Sequence, residues 1–369
     1  MNYDIIIIGA GISGVTLAER YASILNKKVL VLEKRNHIGG NCYDYYNSNG
    51  ILVSKYGAHI FHTIYEDVWE YVDRFTAWHQ YIHRVLSSID GKHVPIPINI
   101  TTVNTLLELQ IQNEEQMKKW LDKNVVKMTN PKNSEEMALS RVGPVLYEKL
   151  FKHYTEKQWD QSPKYLAASV IGRIPVRTNF DDRYFSDPHQ GIPIEGYTKM
   201  FEKILNHPNI TFKLNTDYFM IKDQIKNYNK LFFTGPIDQF FDYKFGRKLQ
   251  YRSLRFIFET YDKEFFQLNS VINYPNDNEY TRIVEYKYFT GQKHHKTTVS
   301  KEFPTWEGEP YYPVLSIENQ EIFELYKKEA EKAKKNGIYL VGRLANYKYY
   351  NMDQTFKNAL DLFNNIEKL

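Results

Sequence analysis

Four consecutive isoleucines, Ile5-Ile6-Ile7-Ile8, run straight into Gly9-Ala10-Gly11-Ile12-Ser13-Gly14. A continuous β-branched run of this kind is the pattern of a strand buried on both faces, as in a parallel sheet. Val15, Leu17, Ala18, Tyr21, Ala22 and Leu25 then fall at helical spacing, and Val29-Leu30-Val31-Leu32 makes a second strand that ends at Glu33. Two parallel strands joined by a helix form the βαβ unit. Its glycines have separate tasks. Gly9 permits the tight turn, Gly11 lets the backbone approach a pyrophosphate, and Gly14 allows close packing of helix on strand, while the helix N-terminus turns its partial positive charge to the phosphates. Glu33 stands ~20 residues past the glycines, where an acid holds a ribose 2′-hydroxyl. An acid there favours FAD or NAD over NADP.

The chain continues Glu33-Lys34-Arg35-Asn36-His37-Ile38-Gly39-Gly40-Asn41. That run resembles the flavoproteins with two dinucleotide-binding domains, in which an acid and then a glycine pair follow the second strand. A surface loop with turn glycines is the alternative.

Composition narrows the class. With 369 residues, two or three domains or one interrupted domain are expected, at ~100–200 residues each. Hydrophobic residues at 42% and charged residues at 25% exclude a disordered chain, a collagen and a disulfide-dense mini-protein. A net charge of +4 makes no electrostatic case for a nucleic-acid or membrane-surface partner. The single cysteine, Cys42, excludes an intrachain disulfide and fits a reducing compartment. The first apolar run is far shorter than the ~18 residues of a membrane helix and follows Asp4 rather than a basic segment, so a cytoplasmic protein is expected.

Further along, residues 36–60 read as loop and residues 61–170 as mostly helical, with a polar helix expected over Leu106 to Lys127. Residues 171–310 shift toward strands, and a last strand at Gly337 to Val341 precedes a final helix near Thr355 to Ile366. His59 and His62 lie three apart. No set of metal ligands accompanies them, which leaves hydrogen bonding near a cofactor or an ordinary structural role. Tyr154 and Trp159 offer faces on which a base can stack, or belong to the core. Arg173, Arg177, Arg252, Arg282 and Arg343 recur among aromatics; the planar fork of arginine suits a pyrophosphate, although any one arginine can be a solvated charge. Lys332, Lys334 and Lys335 read as an exposed helix face.

These strings together resemble the bacterial UDP-galactopyranose mutases. The likeness runs from the first strand to Gln354. It is carried by Gly39-Gly40-Asn41, Tyr56-Gly57-Ala58-His59-Ile60-Phe61-His62-Thr63, Tyr154-Thr155-Glu156-Lys157-Gln158-Trp159, Arg173-Ile174-Pro175-Val176-Arg177 and Tyr184-Phe185-Ser186-Asp187. It continues in Thr234-Gly235-Pro236-Ile237-Asp238, Tyr251-Arg252-Ser253-Leu254, Tyr280-Thr281-Arg282-Ile283, Glu309-Pro310-Tyr311-Tyr312-Pro313 and Gly342-Arg343-Leu344.

The resemblance implies an α/β fold with a Rossmann-like FAD-binding domain, an inserted small helical bundle and an antiparallel β-sheet substrate domain. The expected division is 1–75, 190–240 and 335–369 for FAD, 76–165 for the helical part, and 166–189 with 241–334 for the sheet. It implies an isomerase of UDP-galactopyranose and UDP-galactofuranose, working by ring contraction through an adduct of the sugar on flavin N5, with reduced FAD and no net redox change. Arg173 and Arg282 would bind the diphosphate, Tyr184, Tyr312 and Tyr349 would line that site with Arg252 close by, and Tyr154 and Trp159 would hold the uridine. Gly9, Gly11, Gly14, Glu33, Lys34, Gly40, Asn41, Gly342, Arg343, Asn351 and Met352 would contact FAD, with His59 and His62 near its ring; no metal is implied. A flavin reductant such as NAD(P)H, a homodimer and a role in cell-surface polysaccharide synthesis come with the family, and a lid is expected between Trp159 and Arg177.

Two departures stand out. Family members usually carry Asp at the position of Asn351 and often His at that of Asp353, which alters the charge expected beside the flavin. The segment after Pro313 is slightly longer than the family's spacing to Tyr349, which leaves Tyr311 as the rival of Tyr312. Two other readings share the N-terminal fingerprint. One is a flavin-dependent oxidase or dehydrogenase of an amine or alcohol; the other is a non-catalytic sugar-nucleotide-binding flavoprotein.

Overall fold

A computed structural model describes residues 3–369. Its first layer is a five-stranded sheet in the order Ile210–Lys213, Val29–Leu32, Ile5–Ile8, Lys230–Phe233, Ile338–Leu340. All four pairings are parallel. The isoleucine run explains why the sheet is covered on both sides. Ile5 and Ile7, with Val29, Val31 and Phe232, enter one core; Ile6 and Ile8, with Leu30, Leu32, Leu231 and Phe233, enter another. Successive side chains of a strand point to opposite faces, so an apolar residue at every position needs two covers. Helices Ile12–Ser23, Tyr197–Leu205 and Met352–Glu367 supply one, and the short helices Tyr218–Ile221 and Ile237–Phe240 help supply the other. Full burial of each isoleucine stabilises the fold by ~1.5–3 kcal/mol.

The second layer is a seven-stranded sheet, ordered Tyr312–Pro313, Tyr251–Tyr261, Thr297–Thr305, Arg282–Glu285, Val271–Asn273, Val85–Ile89, Lys92–Ile96. Only the pairing of Val271–Asn273 with Val85–Ile89 is parallel. The last two strands correct the reading of 61–170 as mostly helical. Val85, Ser87 and Ile89 are buried in alternation, and Asp90-Gly91, with φ of 50° and 76°, turns the chain back. An Asp-Gly pair flanked by alternating residues is a hairpin signal, and here it outweighs the surrounding helical spacing. Phe61–Thr63 and Trp78–Gln80 are also strands and flank His189–Pro193.

The helical part therefore starts at Ile100. It contains Ile100–Leu107, Glu114–Asn124, Ser134–Leu146 and His153–Trp159, the last two joined by a π-helical turn at Tyr147–Lys152. The single helix expected over Leu106 to Lys127 is broken between Leu107 and Glu114. Asparagine sets three of the starts: Asn99, Asn113 and Asn133 accept the backbone N–H groups of Thr102, Gln116 and Glu136 at 2.9–3.0 Å. Each such cap stabilises by ~1 kcal/mol. The helices pack on the hairpin strands through Leu146, Leu150, Phe151 and Ile96, so the chain just after this core is held firmly enough to present side chains. No described helix is long and apolar enough to cross a membrane.

Candidate functional site

Two clefts meet inside the molecule. The first has about 1280 Å³ of open space and lies at the carboxyl ends of the parallel strands, where Ile8, Leu32 and Phe233 give way to Gly9, Glu33 and Thr234. Ligands of open α/β sheets bind in that place. Gly11, Gly40, Asn41, Gly342, Arg343 and Met352 line it as well. Gly14 does not. A Cβ on Gly14 would fall 1.9 Å from the Gly9 carbonyl oxygen, so its task is to let the helix sit against the turn. Gly40 has φ of +56°, and a Cβ there would lie 2.9 Å from Gly11 Cα; the two glycine turns lean on each other to form the cleft floor.

Glu33 is buried, and its carboxylate is partly engaged by the protein. Oε2 accepts the Ala10 N–H at 2.8 Å and Oε1 accepts that of Arg35 at 2.9 Å. The acid thus locks the glycine turn to the second strand while each oxygen keeps a lone pair for a hydroxyl. Lys34 is half exposed at the rim, paired with Glu309 at 2.7 Å. Arg35 lies over Tyr56 at 4.6 Å and donates to Asn41 Oδ1 at 3.1 Å. Glycine turn, helix start, ribose acid and long cleft fit FAD.

His59, Arg343 and Met352 line this cleft and also the second one. Burial pushes His59 down to about 4, Arg343 adds to the effect, and the Gly57 carbonyl at 2.9 Å opposes it. Arg343 donates through Nε to the Tyr350 carbonyl at 3.1 Å. Asn351 is the N-cap of helix Met352–Glu367, its backbone N–H donating to Gln354 Oε1 at 3.0 Å. Asn and Asp cap about equally well, so the amide keeps the helix start without the family's negative charge. Asp353 sits buried inside the first turn near His62 and Thr63, its Oδ1 without a partner, and burial raises its carboxyl.

The second cleft, with about 1570 Å³ of open space, gathers residues from across the chain: Tyr154, Trp159, Arg173, Tyr184, Arg282, Tyr312 and Tyr349, with His59, His62 and Asn351. Tyr312 and Tyr349 stack at 5.2 Å and 7°, and Arg173 lies 4.0 Å above the Tyr349 ring. Burial raises the Tyr349 phenol, but Arg173, Arg343 and Arg282 outweigh it and hold it below the ordinary tyrosine value. Arg282 donates to the Tyr154 hydroxyl at 2.7 Å. Of the rival tyrosines, Tyr312 faces this cleft and Tyr311 the first, as neighbours on an extended strand must. His62 pairs with Asp187 and stacks on Phe185 at 3.6 Å.

Arg252 is not on the wall. It is buried behind the cleft, donating to the Gln158 carbonyl at 3.0 Å with its guanidinium 4.4 Å from the Trp306 ring, and so braces the helix end that carries Trp159. Among the described residues no group of His, Cys, Asp or Glu could hold a metal ion. The sequence does not single out Glu302, Asn273 and His83 in the second cleft or Thr216 in the first, and it carries Gln158, Arg35, Thr234 and Glu309 only inside longer strings, with no role of their own. Thr234 had a signal, since it directly follows an apolar run at a strand's carboxyl end. Glu302 had none, because only strand register sets it opposite Arg282.

Fold and clefts define an FAD protein whose cofactor cleft opens into a second, cationic cleft. Residues 149–349 match the family described as UDP-galactopyranose mutase, and residues 7–75 match the NAD(P)-binding Rossmann-like domain. The chain is 40% identical to the dTDP-fucopyranose mutase of Escherichia coli, covering 97% of this chain and 96% of that one. It is 39% identical to a probable UDP-galactopyranose mutase of Klebsiella pneumoniae, covering 97% and 93%. A crystal structure of reduced UDP-galactopyranose mutase superimposes with a TM-score of 0.79 at 18% identity, covering all of this chain and 96% of that one. The chain belongs to the UDP-galactopyranose mutase family.

Proposed function

We propose that the chain interconverts UDP-galactopyranose and UDP-galactofuranose by ring contraction with reduced FAD, with no net change in oxidation state. One observation carries this reading: the cleft built for the cofactor opens at His59, Arg343 and Met352 into a cleft walled by Arg173 and Arg282. Bound reduced FAD supplies an electron-rich centre able to displace a nucleotide from a sugar's anomeric carbon. The protein does the rest. Arg173 and Arg282 hold the diphosphate in charge-assisted hydrogen bonds and stabilise the charge that develops as the nucleotide leaves. The same contacts retain the nucleotide for its return. Tyr154 and Trp159 stack on the uracil, Tyr184, Tyr312 and Tyr349 line the diphosphate and sugar, and Arg252 acts through Trp159. His59 is neutral and so adds no charge where cofactor and sugar meet.

Gly9, Gly11, Glu33, Lys34, Gly40, Asn41, Gly342, Arg343, Asn351 and Met352 hold FAD, with Gly14 supporting the turn. The reading brings with it a reductant such as NAD(P)H, a homodimer and a cytoplasmic site of action. An oxidase is less well supported, because the family match spans 149–349, which holds most of the second cleft and not only the dinucleotide fold that an oxidase would share; a non-catalytic binder would keep both clefts and is less well supported because the relatives are mutases. The identity to a dTDP-fucopyranose mutase favours one second reading, a thymine nucleotide carrying a 6-deoxy sugar.

The test incubates dithionite-reduced protein with UDP-galactofuranose and, separately, dTDP-fucofuranose. UDP-galactopyranose should form without stoichiometric use of reductant. Conversion of the fucose compound alone would establish the second reading, and conversion of neither would overturn both.

A further inference from the structure

Glu302 is a buried carboxylate in the wall of the second cleft, and neither its family resemblance nor its sequence neighbourhood assigns it a task. It stands opposite Arg282 in the register of two antiparallel strands, and its Oε2 lies 3.3 Å from Arg282 Nε. The approach is close enough for a strong charge attraction, yet Nε makes no hydrogen bond. The same carboxylate accepts the Ala58 N–H, and a Cβ on Gly57 would lie 3.1 Å from its Oε1. Glu302 thus ties the arginine of the nucleotide wall to the loop that carries His59 to the junction of the clefts.

The groups that face Glu302 can be named from each element around it. They are Arg282 on the neighbouring strand, Tyr154 on the helix that ends at Trp159, Tyr286 just past the neighbouring strand, and Tyr311 and Tyr312 on the segment running through Pro313. All the tyrosines are raised by burial and are neutral near pH 7, so Arg282 is the one charged group of the set. Arg173 and Arg343 line the same cleft, but Arg282 is the cation beside Glu302; a diphosphate seated on Arg282 draws on the charge that compensates Glu302 and brings two negative charges toward a buried carboxylate. Like charges in a low-dielectric site cannot all stay ionised.

We infer that Glu302 is a positioning residue that orients the Arg282 guanidinium in the free protein and takes up a proton when a nucleotide diphosphate occupies the cleft. The inference rests on the proposed function, since it needs a diphosphate ligand at Arg282. Burial already raises the Glu302 carboxyl above the ordinary range, with Arg282 and the Ala58 N–H pulling the other way, which brings it within reach of such a change. Coupled proton uptake makes binding weaken as pH rises, by at most tenfold per pH unit.

The test is calorimetric titration of oxidised holoenzyme with UDP-galactose, between pH 5.5 and 8, in buffers of different ionisation enthalpy. A diphosphate diester brings no titrating proton of its own, and the oxidised enzyme does not turn it over. Binding with a net uptake of up to one proton is expected, and Glu302→Gln should bind with no uptake and with an affinity that no longer varies over that range. If the wild-type protein binds with no uptake at any pH, the inference is overturned without recourse to a variant. If Glu302→Gln binds and the uptake persists, another group is the acceptor and the inference is overturned. If UDP-galactose gives no binding at all, it is the function reading that has failed.

Discussion

Gly11→Ala and Gly14→Ala should separate two tasks that one motif combines. A Cβ on Gly14 falls 1.9 Å from the Gly9 carbonyl oxygen, 3.1 Å from its carbon and 3.2 Å from Ile7 Cγ2. The first obstacle is backbone and cannot rotate away, so the helix start must lift off the strand. Overpacking of this kind costs ~1–3 kcal/mol, and a backbone obstacle belongs at the upper end; replacing glycine in a helix returns ~1 kcal/mol. A net loss of ~2 kcal/mol follows. A Cβ on Gly11 meets nothing nearer than Gly40 Cα at 3.7 Å, an ordinary contact, and the residue has φ of −82°. Gly11→Ala should leave flavin-stripped protein within ~0.5 kcal/mol of wild type. It does stand on the cleft wall, and losing one close backbone contact to a charged pyrophosphate removes ~1.5–3 kcal/mol, or ~10- to 150-fold in FAD affinity. Urea unfolding of the stripped proteins and fluorescence titration with FAD measure the two quantities. If Gly11→Ala unfolds as easily as Gly14→Ala, or binds FAD as wild type does, the division of labour is wrong.

Other outcomes follow from the same geometry. Arg173→Ala should weaken UDP binding ~10- to 100-fold, as expected for a charge-assisted pair, and should raise the Tyr349 phenol, read by ultraviolet titration at alkaline pH. His59 is held at about 4, below its unfolded value, so the unfolded chain binds more protons between the two. Stability should therefore fall as pH drops from about 6.5 to about 4, by ~1–3 kcal/mol from this residue, and His59→Gln should flatten that slope in urea midpoints. Asn351→Asp should leave stability within ~0.5 kcal/mol, since both cap well, but make the flavin harder to reduce by placing a carboxylate on the cleft wall; spectroelectrochemistry reads the potential. Trypsin should cut at the exposed Lys164 more slowly when UDP is bound, if 159–177 closes over the cleft, and unchanged cleavage would remove the lid.

The cofactor half was legible because its determinants are local. An apolar run, a glycine turn and a second run ending in an acid lie within 5–33, and the structure puts the cleft at their carboxyl ends. The hairpin at 85–96 is masked by the helical spacing of the longer stretch around it, whereas Asp90-Gly91 decides the turn locally. The second cleft is legible as residue types, stacking aromatics and arginine forks, and as a family's strings, neither of which places the residues together. Nothing near Arg252 in the sequence says that it braces a helix end, and nothing near Arg282 says that an acid lies opposite; both are consequences of long-range pairing.

The cationic wall is delivered by separate elements: Arg173 from the end of a short helix, Arg282 from a sheet strand and Arg343 from the loop after the last parallel strand. Three guanidinium groups converging on one partly dry cleft repel one another, and a fold tolerates this only where something offsets it. Here Glu302 offsets Arg282, the Tyr350 carbonyl accepts from Arg343, and the Tyr349 ring lies beneath Arg173. None of these partners neutralises all three, so the cleft keeps an excess of positive charge in the free protein. A site in that condition attracts a diphosphate and resists releasing one after its bond to the sugar breaks. Retention is what a ring contraction requires, because the nucleotide that leaves must be the one that returns.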